Sequence, residues 1–200
     1  MLIDVDDITA KPESKKDLFD FSRSSWHANS SAVPRCDFAP DRWRLASRGV
    51  LFLSLWKASV TGMPLTDIKQ DISMPDFFIE NISTFISRIF NISKMSGVSA
   101  LSAFSICTPP PRRHKAENFA VKVAAGIARK LNIPFEDDIA EAKNRQRVCA
   151  EFILKNPPSG RPLICFDDIV TTGSTFAAMK RLLLPFNLPV IFIAGINNKL

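Results

Sequence analysis

The sequence predicts an α/β fold in which a parallel sheet is flanked by helices, preceded by a helical N-terminal region. Three observations carry that expectation. From Gly97 onward, strand-like runs alternate with amphipathic helical runs, the pattern of parallel βαβ units. RPLICFD (Arg161 to Asp167) is almost unbroken in its apolar character, as in strands covered on both faces. With 200 residues, 46% hydrophobic and 23% charged, the chain can bury one substantial core, which argues against disorder over most of its length.

From Met1 to about Pro40 the chain is polar and punctuated (DVDD, KPESKK, SRSSWHANSS) and reads as an arm or irregular cover. Asp41 suits the cap of a helix running through RWRLASRGVLFLSLWKAS, where Trp43, Leu45, Val50, Leu51 and Leu55 leave an apolar face. Part of that stretch, GVLFLSLW, also reads as a buried strand. In MPDFFIENISTFISRIFNI, Phe77, Ile79, Ile82, Phe85, Ile86, Ile89 and Phe90 recur near helical spacing, and Pro75 suits a first turn. VSALSAFSICT is a strand stopped at Thr108 by Pro109, Pro110 and Pro111, which cannot donate to a ladder. ENFAVKVAAGIARKLNI is an amphipathic helix with Phe119, Val121, Val123, Ala124, Ile127 and Leu131 on one face. RPLICFD, TFAAMKRLLLPF and LPVIFIAGI follow as strand, helix and strand. The expected division is a region of arm and helices over 1–95, packed on an α/β core over 96–200, with no internal repeat.

A formal charge of +6 and a pI near 9.3 favour anionic partners: nucleic acid, acidic lipid or a polyphosphate metabolite. GVLFLSLW is too short to span a bilayer and no leader-like segment stands at the N-terminus, so a soluble, cytoplasmic protein without a membrane partner is expected. Cys36, Cys107, Cys149 and Cys165 are scattered, which favours reduced, buried thiols over a zinc site or disulfide framework. His27 and His114 are too far apart in sequence to be nominated as a catalytic pair, and a single histidine is more often structural.

The chemistry concentrates in Asp167, Asp168, Ile169, Val170, Thr171, Thr172, Gly173, Ser174 and Thr175. Two acids ending a hydrophobic strand are costly to bury without a ligand or cation, so they should face a cleft. Short carboxylates there can accept hydrogen bonds from vicinal ribose hydroxyls. TTGST then supplies small residues, hydroxyls and one glycine, a composition that lets successive backbone N–H groups curl around a phosphate. The following helix adds its dipole and free amides. An acidic turn and a helix cap would explain the two halves separately; their succession between a buried strand and a helix favours a ribose-phosphate site.

LICFDDIVTTGST resembles the phosphoribosyl-pyrophosphate (PRPP) signature of type I phosphoribosyltransferases, a hydrophobic strand followed by D-D-x-x-T-T-G-x-T, and every fixed position is present. The resemblance implies a Rossmann-like fold in which Asp167 and Asp168 bind the ribose hydroxyls and Thr171, Thr172, Gly173, Ser174 and Thr175 hold the 5-phosphate. Over roughly the last hundred residues the chain is also similar to the ComF-like branch, linked with competence. TPPPRRHKAENFA looks like that branch's proline-containing loop, although its usual glycine before the Phe/Asn pair is missing. Arg112, Arg113 and Lys115 are therefore candidate pyrophosphate contacts, with a solvated basic turn as the plainer reading. AKNRQRVCAEF resembles the mobile basic lid of such enzymes, which implies roles there for Lys143, Arg145, Gln146 and Arg147, Arg145 being the catalytic candidate. The four-cysteine zinc module with which ComF-like proteins often begin has no counterpart.

The implied activity is transfer of the phosphoribosyl group to an unidentified nitrogenous acceptor with release of pyrophosphate. Mg²⁺ is the implied cofactor, held through PRPP and water near Asp167 and Asp168 rather than in a protein cage, and a homodimer is the implied assembly. The alternative is a PRPP-sensing regulator, or a ComF-like component of a DNA uptake or defence system, that binds PRPP without transfer. Nucleic acid is compatible with the charge, but no helix-turn-helix, zinc finger or basic stripe supports it.

Overall fold

A computed structural model of the chain describes residues 33–92, 100–111, 118–144 and 150–198, with the backbone alone at 40–46, 91 and 92. The arm from Met1 lies outside the described residues, as do His27 and His114. Residues from Pro34 onward belong to one compact unit. Its strands are β1 (Arg35–Cys36), β2 (Pro40–Ser47), β3 (Val50–Lys57), β4 (Met63–Pro64), β5 (Ser105–Cys107), β6 (Phe135–Glu136), β7 (Ala140–Ala142), β8 (Phe152–Leu154), β9 (Leu163–Val170) and β10 (Val190–Asn197). The α-helices are α1 (Leu65–Ile68), α2 (Met74–Ile92), α3 (Phe119–Leu131) and α4 (Ser174–Leu183).

Six strands form the main sheet in the order β2-β3-β10-β9-β5-β6. All neighbours pair in parallel except the edge strand β2, which is antiparallel to β3. The chain passes from β5 outward through α3 to β6, and from β9 in the opposite direction through α4 to β10. Right-handed crossovers in opposite directions place their helices on opposite faces. The packing agrees: Val123, Ala124 and Ile127 of α3 share one apolar cluster with Ile82 and Ile86 of α2, whereas Phe176 and Met179 of α4 belong to a second. Between β9 and β5 the direction of winding reverses, and the carboxyl ends of such a pair bound the crevice where open α/β sheets bind ligands.

Strand β9 is central because both faces are covered. Leu163, Ile164, Cys165 and Phe166 are each fully buried, alternating between the two clusters. Burial of this kind stabilises by roughly 1.5–3 kcal/mol for a large aliphatic or aromatic side chain. Helix α2 occupies the predicted span and opens on a turn in which Asp71 Oδ1 accepts the Ser73 N–H at 2.8 Å and its hydroxyl at 2.7 Å. These hydrogen bonds hold the Asp71 carboxyl below its ordinary value. Its inward side chains are Phe78, Ile82, Phe85, Ile86 and Phe90, while Phe77 of the predicted face is exposed. In α3, Asn118 caps the N-terminus by accepting the Ala120 N–H, and Asn132 ends the helix in the left-handed conformation. A Cβ on Gly126 would come within 2.2 Å of Ile79 Cδ1, so this glycine lets α3 approach α2 closely.

Two sequence expectations are corrected. The helix proposed from Asp41 is instead the β2–β3 hairpin, turned by Arg48 and Gly49 at φ 51° and 74°. Paired left-handed residues give the turn whose twist matches a hairpin, and pairing along β10 draws the apolar run GVLFLSLW into the sheet. VSALSAFSICT contributes a strand only at Ser105–Cys107, because Ala100–Ala103 is a 3-10 turn. The strand does stop before the prolines, as ladder chemistry requires.

Candidate functional site

Beyond Phe166, strand β9 turns polar while still paired, with Asp167 opposite Ala194 of β10. Alternation directs Asp167 toward the α4 face, with Leu163 and Cys165, and Asp168 toward the α2–α3 face, with Ile164 and Phe166. Asp168 is buried at 5% exposure. Its Oδ1 accepts the Ile169 N–H at 2.8 Å, and Asp167 Oδ1 accepts the Asp168 N–H at 3.0 Å. The buried charge of Asp168 has a cation: Lys69 Nζ lies 2.6 Å from Asp168 Oδ2. Lys69 directly follows α1, on the connection from β3 to α2.

Gly173 adopts φ 71° and begins α4 as its N-cap, a conformation that glycine takes without a Cβ penalty. Thr172 Oγ1 lies 3.1 Å from Ser174 Oγ, and the Gly173 carbonyl accepts the Ala177 N–H at 3.0 Å as the helix starts. Ser47, the last residue of β2, donates its hydroxyl to the Thr172 carbonyl at 3.0 Å. A Cβ on Gly173 would lie 2.7 Å from Ser47 Oγ and 2.8 Å from its Cβ, so the hairpin abuts the turn directly. Thr171 is exposed and Thr172 and Thr175 are half-buried, whereas Gly173 and Ser174 are buried. Lys180 and Arg181 in the last turn of α4 complement the helix dipole, whose positive end points back to this turn.

The acid pair and Thr171 to Thr175 are thus contiguous along the end of β9 and the start of α4. Strand β5 ends beside them, with Cys107 in register with Cys165. Burial pushes the Cys165 thiol well above its ordinary value, with Cys107 as the next cause. Arg112, Arg113 and Lys115, in the connection from β5 to α3, lie outside the described residues. So do Arg145, Gln146 and Arg147. Lys143 is described: it leaves β7, and its N–H donates to the Glu151 carbonyl at 2.9 Å, while its Nζ lies 3.6 Å from Glu151 Oε2. Strands β7 and β8 pair antiparallel, with Ala142 opposite Phe152.

Sequence reasoning missed Lys69 and Ser47. Both act through contacts made only in the folded chain, 99 and 125 positions from their partners, and neither carries a local motif. Asp167 and Asp168 offer carboxylate oxygens of the kind Mg²⁺ takes, but on opposite faces of β9, which suits an ion that keeps several waters and rides on phosphates rather than one caged by both side chains. Among the described residues, no group of three or more His, Cys, Asp or Glu side chains gathers at one point.

No protein-family model matches the chain, and none of the curated proteins does. Among solved structures, an adenine phosphoribosyltransferase matches with TM-score 0.46 and 14% identity over 78% of this chain and 84% of its own. The Saccharomyces cerevisiae adenine phosphoribosyltransferase, complexed with an imino-altritol bisphosphate and adenine, matches with TM-score 0.44 and 14% identity over 87% and 89%. The orotate phosphoribosyltransferase of Aeropyrum pernix matches with TM-score 0.38 and 17% identity over 84% and 76%. Among the described residues, no helix is long and apolar enough to cross a membrane.

Proposed function

We propose that the chain is a phosphoribosyltransferase that binds PRPP with Mg²⁺ and transfers the phosphoribosyl group to a nitrogen nucleophile, releasing pyrophosphate. One observation carries the reading: the acid pair passes through a left-handed glycine turn into the N-terminus of α4, beside the reversal point of a parallel sheet. A helix start with a curled, hydroxyl-bearing turn is an anion site, and carboxylates next to it suit the hydroxyls of a sugar whose phosphate the turn holds.

In this reading Thr171 to Thr175 hold the 5-phosphate, and Asp167 and Asp168 fix the ribose through its hydroxyls. The nitrogen lone pair attacks C1 as the C1–oxygen bond breaks; the electron pair leaves with pyrophosphate, and the nitrogen's proton passes to water or to the departing pyrophosphate. The transition state resembles an oxocarbenium ion, so positioning and charge stabilisation are the protein's main work. Bound Mg²⁺, held through PRPP and water near Asp167 and Asp168, supplies charge neutralisation of the leaving group. Arg112, Arg113 and Lys115 would meet the pyrophosphate. Arg145, between β7 and β8 in sequence, would close over it with Lys143, Gln146 and Arg147 and exclude water. The acceptor would be recognised by chain from the first 95 residues. The same reading makes the protein cytoplasmic and homodimeric.

Calorimetry of Mg²⁺–PRPP binding tests the site. Asp167→Asn with Asp168→Asn should weaken it by about 1.5–3 kcal/mol for each charge-assisted hydrogen bond lost. Equal affinity for variant and parent would remove the acids from the site. Pyrophosphate release in the presence of candidate bases tests transfer; binding without release would identify a PRPP-sensing regulator, the reading that also accommodates a ComF-like role in DNA uptake or defence.

A further inference from the structure

Helix α4 starts at the turn read as the 5-phosphate site and packs on one face of the sheet, whereas Asp168 points to the other face, the one covered by α2 and α3. In the PRPP reading, a ligand held by its 5-phosphate at the α4 turn and crossing the strand end would carry its C1 side toward the α2–α3 face. That is where Lys69 stands. Its side chain is 44% exposed, while that of Asp168 is 7% exposed, so a part-exposed lysine is paired with a nearly buried carboxylate. An ammonium has three donors, and one suffices for Asp168 Oδ2. The others can meet an anionic oxygen without breaking the ion pair.

We propose that Lys69 is a binding residue for the pyrophosphate end of the ligand, held in place by Asp168. The inference rests on the PRPP reading and deepens it: the acid would orient both the sugar and the cation that meets its leaving group. It also accounts for a nearly buried carboxylate paired with a part-exposed lysine at the carboxyl end of β9. A fully buried partner would satisfy Asp168 but could contribute nothing to a ligand.

A role confined to positioning Asp168 predicts equal losses for every sugar ligand, whereas contact with pyrophosphate predicts unequal ones. Lys69→Met and Lys69→Arg are compared with the parent by calorimetry against Mg²⁺–PRPP, ribose 5-phosphate and inorganic pyrophosphate. In Lys69→Met, affinity for PRPP and for pyrophosphate should fall about tenfold or more, the worth of one charge-assisted contact, while ribose 5-phosphate falls less than about threefold. Lys69→Arg should keep most of the affinity for all three. Equal losses for PRPP and ribose 5-phosphate, or no loss of pyrophosphate binding, would overturn the proposal while leaving the PRPP reading standing. A parent that binds neither PRPP nor ribose 5-phosphate would overturn both. Should Lys69→Met fail to fold for want of a partner to Asp168, the double variant Lys69→Met/Asp168→Asn removes both charges. Compared with Asp168→Asn alone, it should show the same selective loss, and its absence counts against Lys69.

Discussion

Replacing Gly173 by alanine puts the proposed phosphate turn under a strain that the structure allows one to size. At φ 71° a residue with a Cβ pays roughly 1–2 kcal/mol relative to glycine. The new methyl would also lie 2.7 Å from Ser47 Oγ, and Ser47, at 6% exposure, has little room to withdraw. Crowding in a packed site costs roughly 1–3 kcal/mol. Displacing Ser47 weakens its hydrogen bond to the Thr172 carbonyl, a contribution of about 1 kcal/mol. Against these, alanine restricts the unfolded chain and returns about 0.4–1 kcal/mol. The expected net loss is about 2–6 kcal/mol, read as a lower urea midpoint at unchanged slope. Ser47→Gly combined with Gly173→Ala removes the crowding but not the left-handed backbone, so part of the loss should return relative to Ser47→Gly alone. A Gly173→Ala protein within about 0.5 kcal/mol of the parent would refute the argument, because neither the backbone conformation nor the contact with the hairpin could then be as described.

Other predictions test the core on which the site stands. Phe166→Ala should cost about 3–5 kcal/mol in urea denaturation, since Phe166 is fully buried one residue before the acid pair; a loss below 1 kcal/mol would mean that this face of β9 is not packed as seen. The raised Cys165 thiol sets a pH dependence. The folded protein keeps this proton at a pH where the unfolded chain has lost it, so the contribution is fully present below the ordinary thiol value of 9.0 and is lost as pH rises toward the higher folded value. The drop in urea midpoint between neutral pH and about pH 10 should be smaller in Cys165→Ala than in the parent; equal drops would contradict burial of this thiol.

The later half of the fold was legible because its elements carry their own signals. The apolar run at β9 marks a strand covered on both faces, the 3.6-residue spacing in α2 and α3 marks their inward stripes, and the prolines after Cys107 end a strand. Of the β2–β3 hairpin, the alternative strand reading of GVLFLSLW held as β3, whereas β2 was misread as helix because DRWRLAS combines scattered apolar residues with a charged start. The hairpin's turn signal was a single Arg-Gly pair, and only pairing with β10 decides between helix and strand. The short strands β1, β4, β6, β7 and β8 span two or three residues each, too few to show a period. Within the candidate site, Asp167 to Thr175 were legible as contiguous motif chemistry. Lys69 and Ser47 were not, since a lysine after a one-turn helix and a serine at a strand end acquire meaning only through distant partners.

The bond from Ser47 to the Thr172 carbonyl closes a loop of 125 residues. The turn at Thr171 to Thr175 therefore cannot be finished by its own neighbourhood in sequence; it waits for the edge hairpin, made far earlier in translation, to dock along β10. A fragment begun at residue 96 would contain every residue of the signature and still lack both the strand that covers β10 and the hydroxyl that buttresses the turn. In this protein the signature is a local sentence whose grammar is completed from the other end of the chain.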